Sequence, residues 1–305
     1  MVVVFGSINL DLVTRVERFP APGETLSGSE FATHAGGKGG NQALAAARAG
    51  AEVQMYGAVG RDSFAGTATA LLDAGGVDLR GVAAVDAPTG CATILVDAKG
   101  ENSIVVVAGA NAHVDAMAVP DSALASDTLL VLQQEVPAEA NATLIARARG
   151  LGARIVLNAA PARALTRELL QQIDVLIVNE NEATAVAGIF GWPTLPEAFA
   201  SAVTSQISEL TVIVTLGAAG ALCCVYGESL HIAAPDINVV DTTGAGDAFV
   251  GVLAAGLDGG AAQADAMRLA VAAGSLACTM HGAQSALPDR TRIDALLPLV
   301  TLTRR

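Results

Sequence analysis

Asp241-Thr242-Thr243-Gly244-Ala245-Gly246-Asp247-Ala248-Phe249 joins a small-residue turn to a carboxylate at the mouth of an apolar helix. Upstream, Ile237 to Val240 reads as the end of a β-strand. Downstream, Ala248 to Leu257 is small and apolar enough for a buried helix. A Gly-Ala-Gly turn between them lets backbone N–H groups converge on one point, where the helix N-terminus adds partial positive charge. That geometry suits a phosphoryl group. Asp247, in the first turn, would stand beside the same point and can accept a proton from a hydroxyl nucleophile. An anion cradle with a base beside it is the minimum equipment of a phosphotransferase. The plain alternative is a Gly-rich turn whose Asp only caps the helix. The two standard Gly-rich fingerprints do not fit. Gly37-Lys38 is followed by Gly39 where a P-loop needs Ser or Thr, and Gly244-x-Gly246 leads to Phe249 where a dinucleotide fold needs a third glycine.

Strand-like and helix-like segments alternate outward from this point. Val53 to Val59, Leu129 to Gln133, Ile155 to Asn158, Val175 to Val178 and Val212 to Thr215 are short β-rich runs. Between them lie helical patterns: Gln42 to Ala49 stopped by Gly50, Phe64 to Ala74 stopped by Gly75-Gly76, and Ala138 to Arg149 stopped by Gly150. A glycine just past the last turn is a common helix stop. The alternation predicts an α/β fold, a parallel sheet with helices on both faces. Two segments break it. Leu10 to Thr33 carries Pro20, Pro22 and Gly23, and Cys91 to Val107 holds two strand-like runs around Ala98-Lys99-Gly100-Glu101. They read as a small β-flap over the C-terminal edge of the main sheet. Ligands bind there in open α/β folds, and a flap excludes water from a transfer reaction. An ordinary edge hairpin is the alternative.

Composition narrows the partners. Of 305 residues 52% are hydrophobic but only 3% aromatic, so the core is Ala, Val and Leu in close helix–sheet contact. A net charge of −13 speaks against nucleic acid or an anionic membrane, both of which need a basic face. It also means that an anionic substrate must be held by local groups against the overall field. Cys91, Cys223, Cys224 and Cys278 show no C-x-x-C spacing, which points to a reducing, cytoplasmic setting. His34, His113, His231 and His281 are scattered without metal-ligand spacing. Met1-Val2-Val3-Val4-Phe5 reads as a first strand rather than a leader. Asp258, Asp265 and Arg268 break the Ala-rich stretch from Ala248 to Met280, so it does not read as a membrane span.

Other segments carry polar groups at strand ends. Gly36-Gly37-Lys38-Gly39-Gly40-Asn41-Gln42-Ala43 precedes a helix, and glycines this dense let backbone approach a ligand. Asn41 can hydrogen-bond sugar hydroxyls and Lys38 can add charge; a flexible turn with Asn41 as a cap is the alternative. Asn9 and Asp11, spaced i and i+2, share one face of an extended segment and can grip vicinal hydroxyls. Asn179-Glu180-Asn181-Glu182 follows a strand and opens a helix. It reads either as a capped helix with dipole-favoured acids or as a Mg²⁺ site near triphosphate oxygens, with Asn179 and Glu182 acting directly or through water. Thr215-Leu216-Gly217 can line a nucleotide site, and Glu135 is a carboxylate at a strand end.

The two Gly-rich segments, 36–42 and 241–247, resemble in order and separation the two signatures of the pfkB (ribokinase-like) family of carbohydrate kinases. The resemblance covers nearly the whole chain. Gly6-Ser7-Ile8-Asn9 with Asp11, Pro22-Gly23-Glu24-Thr25, Gly100-Glu101-Asn102, Gly109-Ala110-Asn111, Ala160-Pro161-Ala162 and Gly282-Ala283-Gln284 resemble its ribose-phosphorylating members. The resemblance implies a three-layer αβα fold with a mostly parallel central sheet and a small β-sheet lid. It implies one kinase domain over 1–305, with a lid from about 10–34 and 89–108, often shared across a homodimer. The implied activity is ATP-dependent phosphorylation of D-ribose at its 5-hydroxyl. The same transfer to fructose, deoxyribose or adenosine stays open, as does a non-catalytic sugar-binding regulator.

The resemblance also implies roles, position by position. Asp247 would be the base, and the amides of Gly244, Ala245, Gly246 and Asp247 would stabilise the transferring phosphoryl. Asn9, Asp11, Gly37, Lys38, Asn41 and Glu135 would bind the sugar, with Asp247. Asn179 and Glu182 would organise Mg²⁺ with ATP; Thr215, Gly217, Gly220 and Gly246 would contact the nucleotide. A potassium ion beside the anion hole would be held by Asp241, Thr243, Ala277, Met280 and Gly282, several through carbonyls. Three positions depart from the family's pattern: Gly40 for Ala, an Ala for a Pro within Asn158-Ala159-Ala160-Pro161, and Ala286 for a Ser in the cation loop.

Overall fold

The computed structural model describes residues 1–304. In chain order the strands are β1 (Val2–Phe5), β2 (Asn9–Arg15), β3 (Glu30–Gly36), β4 (Val53–Gly60), β5 (Asp78–Val85), β6 (Gly90–Val96), β7 (Asn102–Val107), β8 (Leu129–Leu132), β9 (Arg154–Asn158), β10 (Val175–Asn179), β11 (Thr211–Thr215), β12 (Ala221–Val225), β13 (Glu228–Ala233) and β14 (Thr301–Arg304). The α-helices are α1 (Lys38–Arg48), α2 (Ser63–Ala74), α3 (Ala138–Leu151), α4 (Arg167–Leu170), α5 (Glu180–Phe190), α6 (Pro196–Gln206), α7 (Ala245–Asp258), α8 (Gln263–Ala277) and α9 (Arg290–Leu296).

Ten strands form one sheet in the order β14-β13-β12-β11-β10-β9-β8-β1-β4-β5. From β5 to β11 every neighbouring pair is parallel. The strands β12, β13 and β14 close one edge antiparallel. The central parallel strands are buried on both faces and read as apolar runs, such as Val2-Val3-Val4-Phe5, while the edge strand β5 is partly exposed. Alternate residues point to opposite faces. Val2 and Val4 join a core with α1, α7 and α8 residues; Val3 and Phe5 join a second with α3, α5 and α6 residues. Three layers result. A second sheet, β3-β2-β6-β7, is four-stranded and leaves the main one through the tripeptide Gly6-Ser7-Ile8.

Small residues make the α1–α7 contact close. A Cβ on Gly251 of α7 would lie 2.4 Å from the Gln42 carbonyl and 2.6 Å from the Ala45 Cβ of α1. This is the packing that a core poor in aromatics predicts.

Three local expectations need correction. Ile237 to Val240 is not a strand: the amides of Val240 and Asp241 both donate to the Cys278 carbonyl, at 2.8 and 3.2 Å, just past α8. The sheet edge they would have joined is taken, because β14 pairs with β13. Helix α3 runs through Gly150 to Leu151 and stops at Gly152, whose φ of 90° supplies the left-handed cap. Helix α1 starts at Lys38, earlier than the apolar pattern suggests. A Cβ at Gly39 would meet the Ser7 amide at 2.6 Å, so glycine lets the first turn press on the β1–β2 connection.

Candidate active site

The parallel strands end at one rim, and the chemistry stands on it. After β1 come Ser7 and Asn9; after β8 comes Glu135; β9 ends at Asn158, β10 at Asn179 and β11 at Thr215. Helix α7 points its N-terminus at the same rim. Gly244, at φ 75°, turns the chain into the helix. A Cβ built on Gly246 would meet nothing within 4 Å, so the space beside the first turn is open; the Ala245 amide donates back to the Thr242 carbonyl at 3.3 Å. Partial positive charge collects there.

Asp247 is buried in the first turn of this helix. Asn41 Nδ2 donates to its Oδ2 at 2.9 Å and Gln42 Nε2 to its Oδ1 at 3.0 Å. The Lys38 ammonium lies 4.0 Å from Oδ1. Asp247 is the largest influence holding that ammonium above its ordinary range, and it outweighs the effect of burial; Glu135 and Glu182 add to it. A protein of net charge −13 therefore keeps one cation among three carboxylates at this point.

Glu135 does a job that sequence did not reveal. Its Oε2 accepts from the Lys38 backbone amide at 2.9 Å and from Ser7 Oγ at 2.5 Å. It caps α1 from 97 residues away, in place of Gly37, which has no side chain to offer. Gly37 has φ 85°, and a Cβ there would lie 2.7 Å from the Asn9 amide. Asn9 is buried, and its Oδ1 accepts from Asn111 Nδ2 at 2.7 Å. Asn111 also bonds both backbone groups of Ile8, at 2.9 and 3.2 Å. Asp11 lies further along β2. Burial, then Glu135 and Asp247, push its carboxyl up to about 6.

Asn179 and Glu182 form a reciprocal capping box on α5, with both bonds at 2.8 Å. The capped-helix reading of this segment is therefore realised. The Glu182 carboxyl still faces the site: burial raises its pKa, and it feels both Lys38 and Asp247. Among the described residues no group of three or more His, Cys, Asp and Glu side chains is arranged to hold a metal. A Mg²⁺ ion would thus suit Asn179 and Glu182 only as outer partners of a metal carried by phosphate oxygens. Thr215, Gly217 and Gly220 lie one strand further along the rim. Thr215 Oγ1 donates to the Val178 carbonyl at 3.4 Å, and a Cβ on Gly220 would run into the Ile232 carbonyl at 2.0 Å.

The loop expected to hold a monovalent cation is cross-tied by Asp241. Its Oδ1 accepts from the Thr243 amide and hydroxyl at 2.9 and 2.7 Å, and its Oδ2 from the Gly282 amide at 2.9 Å. Burial works to raise the Asp241 carboxyl, but these donors outweigh it and hold it low. Gly282 sits at φ 88°, and a Cβ there would fall 2.5 Å from Ser285 Oγ. Helix α8 ends at Ala277, and just past it the Cys278 carbonyl accepts from the Val240 and Asp241 amides, tying the helix end to the same loop. That cradle and its ionised Asp fit a small cation. Ser285 does not replace the missing serine at the buried Ala286: its hydroxyl donates back to the His281 carbonyl at 3.0 Å.

The model of pfkB family carbohydrate kinases matches residues 1–290. The chain belongs to that family. This carbohydrate kinase is 37% identical over 290 residues to a ribokinase of Haemophilus influenzae, covering 94% of this chain and 95% of the relative. It is 34% identical to a deoxyribokinase of Salmonella typhi, covering 98% and 99%. Among solved structures it is similar to a ribokinase of Thermotoga maritima, with TM-score 0.90, 32% identity and coverage of 98% and 99%. It is also similar to a ribokinase of Arabidopsis thaliana complexed with ribose and ATP, with TM-score 0.86, 33% identity and coverage of 97% and 98%. The kinase has the expected three-layer ribokinase-like fold, with a large mostly parallel sheet and a smaller one.

Proposed function

We propose that the chain phosphorylates D-ribose at its 5-hydroxyl with ATP. The observation that carries this is Asp247, fixed by Asn41 and Gln42 beside Lys38 at an open helix N-terminus. In this reading Asn9, Asp11, Lys38, Asn41 and the Gly37 backbone hold the sugar, while Glu135 binds it with whatever capacity its capping of α1 leaves. Asp247 accepts the proton of the primary hydroxyl as transfer advances. The amides of Gly244 to Asp247 stabilise the charge on the moving phosphoryl. Asn179 and Glu182 orient Mg·ATP, and Thr215, Gly217 and Gly220 line the nucleotide. Mg²⁺, bound with the triphosphate, would neutralise charge on its oxygens. K⁺ would occupy the loop of Asp241, Thr243, Ala277, Met280 and Gly282. Residence in the cytoplasm follows from ATP as donor; no helix among the described residues is long and apolar enough to cross a membrane.

ADP release with Mg·ATP is the test, over D-ribose, 2-deoxyribose, D-fructose and adenosine, each in K⁺ and in Na⁺. Selective turnover of ribose, raised by K⁺, is the expected result. 2-Deoxyribose is the second reading, favoured by the similarity to a deoxyribokinase. Turnover of that sugar alone would move the substrate and keep the mechanism.

The raised Asp11 carboxyl makes sugar binding depend on pH. An ionised Asp11 accepts from two hydroxyls, so the KM for ribose is expected to rise as pH falls through about 6. Asp11→Asn should have a high KM without that step. Stability runs the other way. The folded state holds this proton more tightly than the unfolded chain, where an Asp titrates near about 3.9. The contribution of Asp11 to stability is therefore fullest below that value and declines as pH rises to about 6. At pH above about 7, Asp11→Asn is expected to be more stable by on the order of 1–3 kcal/mol in denaturant titration. An unchanged midpoint would refute this.

The small sheet is read as a lid, and its outer strand suggests a dimer. β7 is an edge strand with Ile104, Val105, Val106 and Val107 exposed by 51, 63, 58 and 49%. A bare apolar edge of this kind invites a second strand. A second copy of the chain is the proposed cover. Val105→Lys with Val106→Lys should convert a dimer to monomer in sedimentation velocity; an unchanged oligomeric state would rule this seam out.

A further inference from the structure

We infer that Gln42 is a positioning residue for the base, the member of a buried amide chain that meets Asp247. The inference rests on Asp247 being the base. Gln42 is fully buried and spends every polar atom of its side chain. Its Nε2 donates to Asp247 Oδ1 at 3.0 Å and to Asn158 Oδ1 at 3.1 Å. Its Oε1 accepts from Gln133 Nε2 at 2.7 Å. Asn158 is held in turn, donating to the Ile177 carbonyl at 3.2 Å.

The order of the chain matters because an amide can flip. A carboxylate is only an acceptor, so Gln42 serves Asp247 only with its nitrogen forward. Asn158, whose own amide nitrogen is tied to the Ile177 carbonyl, offers only its oxygen to Gln42 and so fixes that orientation, and Gln133 donates from behind. The main sheet thereby sets one oxygen of the base through β8 and β9, while Asn41 sets the other. Gly6 makes room for this arrangement: a Cβ there would fall 1.9 Å from Gln133 Oε1. The two neighbours differ in kind. Asn41 is a proposed sugar ligand, so its loss would disturb binding and chemistry together. Gln42 bonds the base and two amides, so its loss should appear in kcat alone.

The test compares Gln42→Leu, Gln42→Glu and Asp247→Asn, each with D-ribose and Mg·ATP. Gln42→Leu should lower kcat roughly ten- to a hundredfold, the range of one hydrogen bond to a charged group, with ribose affinity by calorimetry within about twofold. A kcat within about threefold of the parent, or a parallel loss of affinity, overturns the inference. Gln42→Glu preserves shape and keeps the question answerable if the leucine variant does not fold. When protonated, the introduced carboxyl can still donate to Asp247; when ionised, it repels it. The kcat of this variant should therefore decline with rising pH relative to the parent; a parallel profile overturns the inference. Asp247→Asn separates the two readings. If it keeps near-parent kcat, the base assignment fails and this inference with it. If it loses kcat while both Gln42 variants keep it, the inference alone fails.

Discussion

Asp247→Asn is expected to lower kcat by at least roughly a hundredfold, the lower end of general-base contributions. Two effects add. The variant cannot take the hydroxyl proton, and it presents an amide to two donors. Asn41 Nδ2 and Gln42 Nε2 each point at one oxygen of the native carboxylate. The substituted amide has one acceptor for them, so one buried donor is left facing another. That mismatch costs about 1–3 kcal/mol of stability, well short of the roughly 5–15 kcal/mol typical of a folded domain. Thermal melts should therefore show a modest loss while single-turnover rates collapse. Near-parent kcat in folded protein would remove Asp247 from the mechanism.

The second large effect is remote from any substrate. Gly251→Ala places a methyl 2.4 Å from the Gln42 carbonyl and 2.6 Å from Ala45 Cβ. The first contact is with backbone, which cannot rotate away. α1 and α7 must separate by several tenths of an ångström, at a cost of about 1–3 kcal/mol or more. These helices carry Lys38, Asn41 and Gln42 on one side and Asp247 on the other. Separation lengthens both hydrogen bonds to the carboxylate. Catalysis is sensitive to sub-ångström placement, so kcat should fall along with the melting temperature. A variant with parental stability and rate would show that this contact has slack.

Particular residues show what sequence made legible. The turn at 241–247 and the run at 36–42 advertise themselves, because glycine density and a helix-entry carboxylate are local signals. Their meeting is not local. Nothing in either segment says that Asn41 and Gln42 point at Asp247, some 205 residues away. Glu135 was legible as a strand-end acid but not as the cap of α1. Asn111 and Asn158 were legible only as parts of motifs, since a buried amide and an exposed one look alike in a string. The strand expected at 237–240 failed for a related reason. Its β-branched residues met the local preference, but β14, from the far end of the chain, already held the sheet edge. Propensity says what a segment tolerates; competition for partners decides what it does.

The proposed sugar site is divided between two bodies. Asn9 and Asp11 ride on the small sheet, while Lys38, Asn41 and Asp247 belong to the large layered body. Short connections join the two: Gly6-Ser7-Ile8, Gly37, residues 86–89 and Ala108. A sugar held by both would act as a rivet, and its affinity would include any work of bringing the bodies together. By thermodynamic reciprocity, whatever rests on the bare valines of β7 alters the same work. A substitution on that outer face, touching neither sugar nor nucleotide, would then register as a change in how much ribose the enzyme needs.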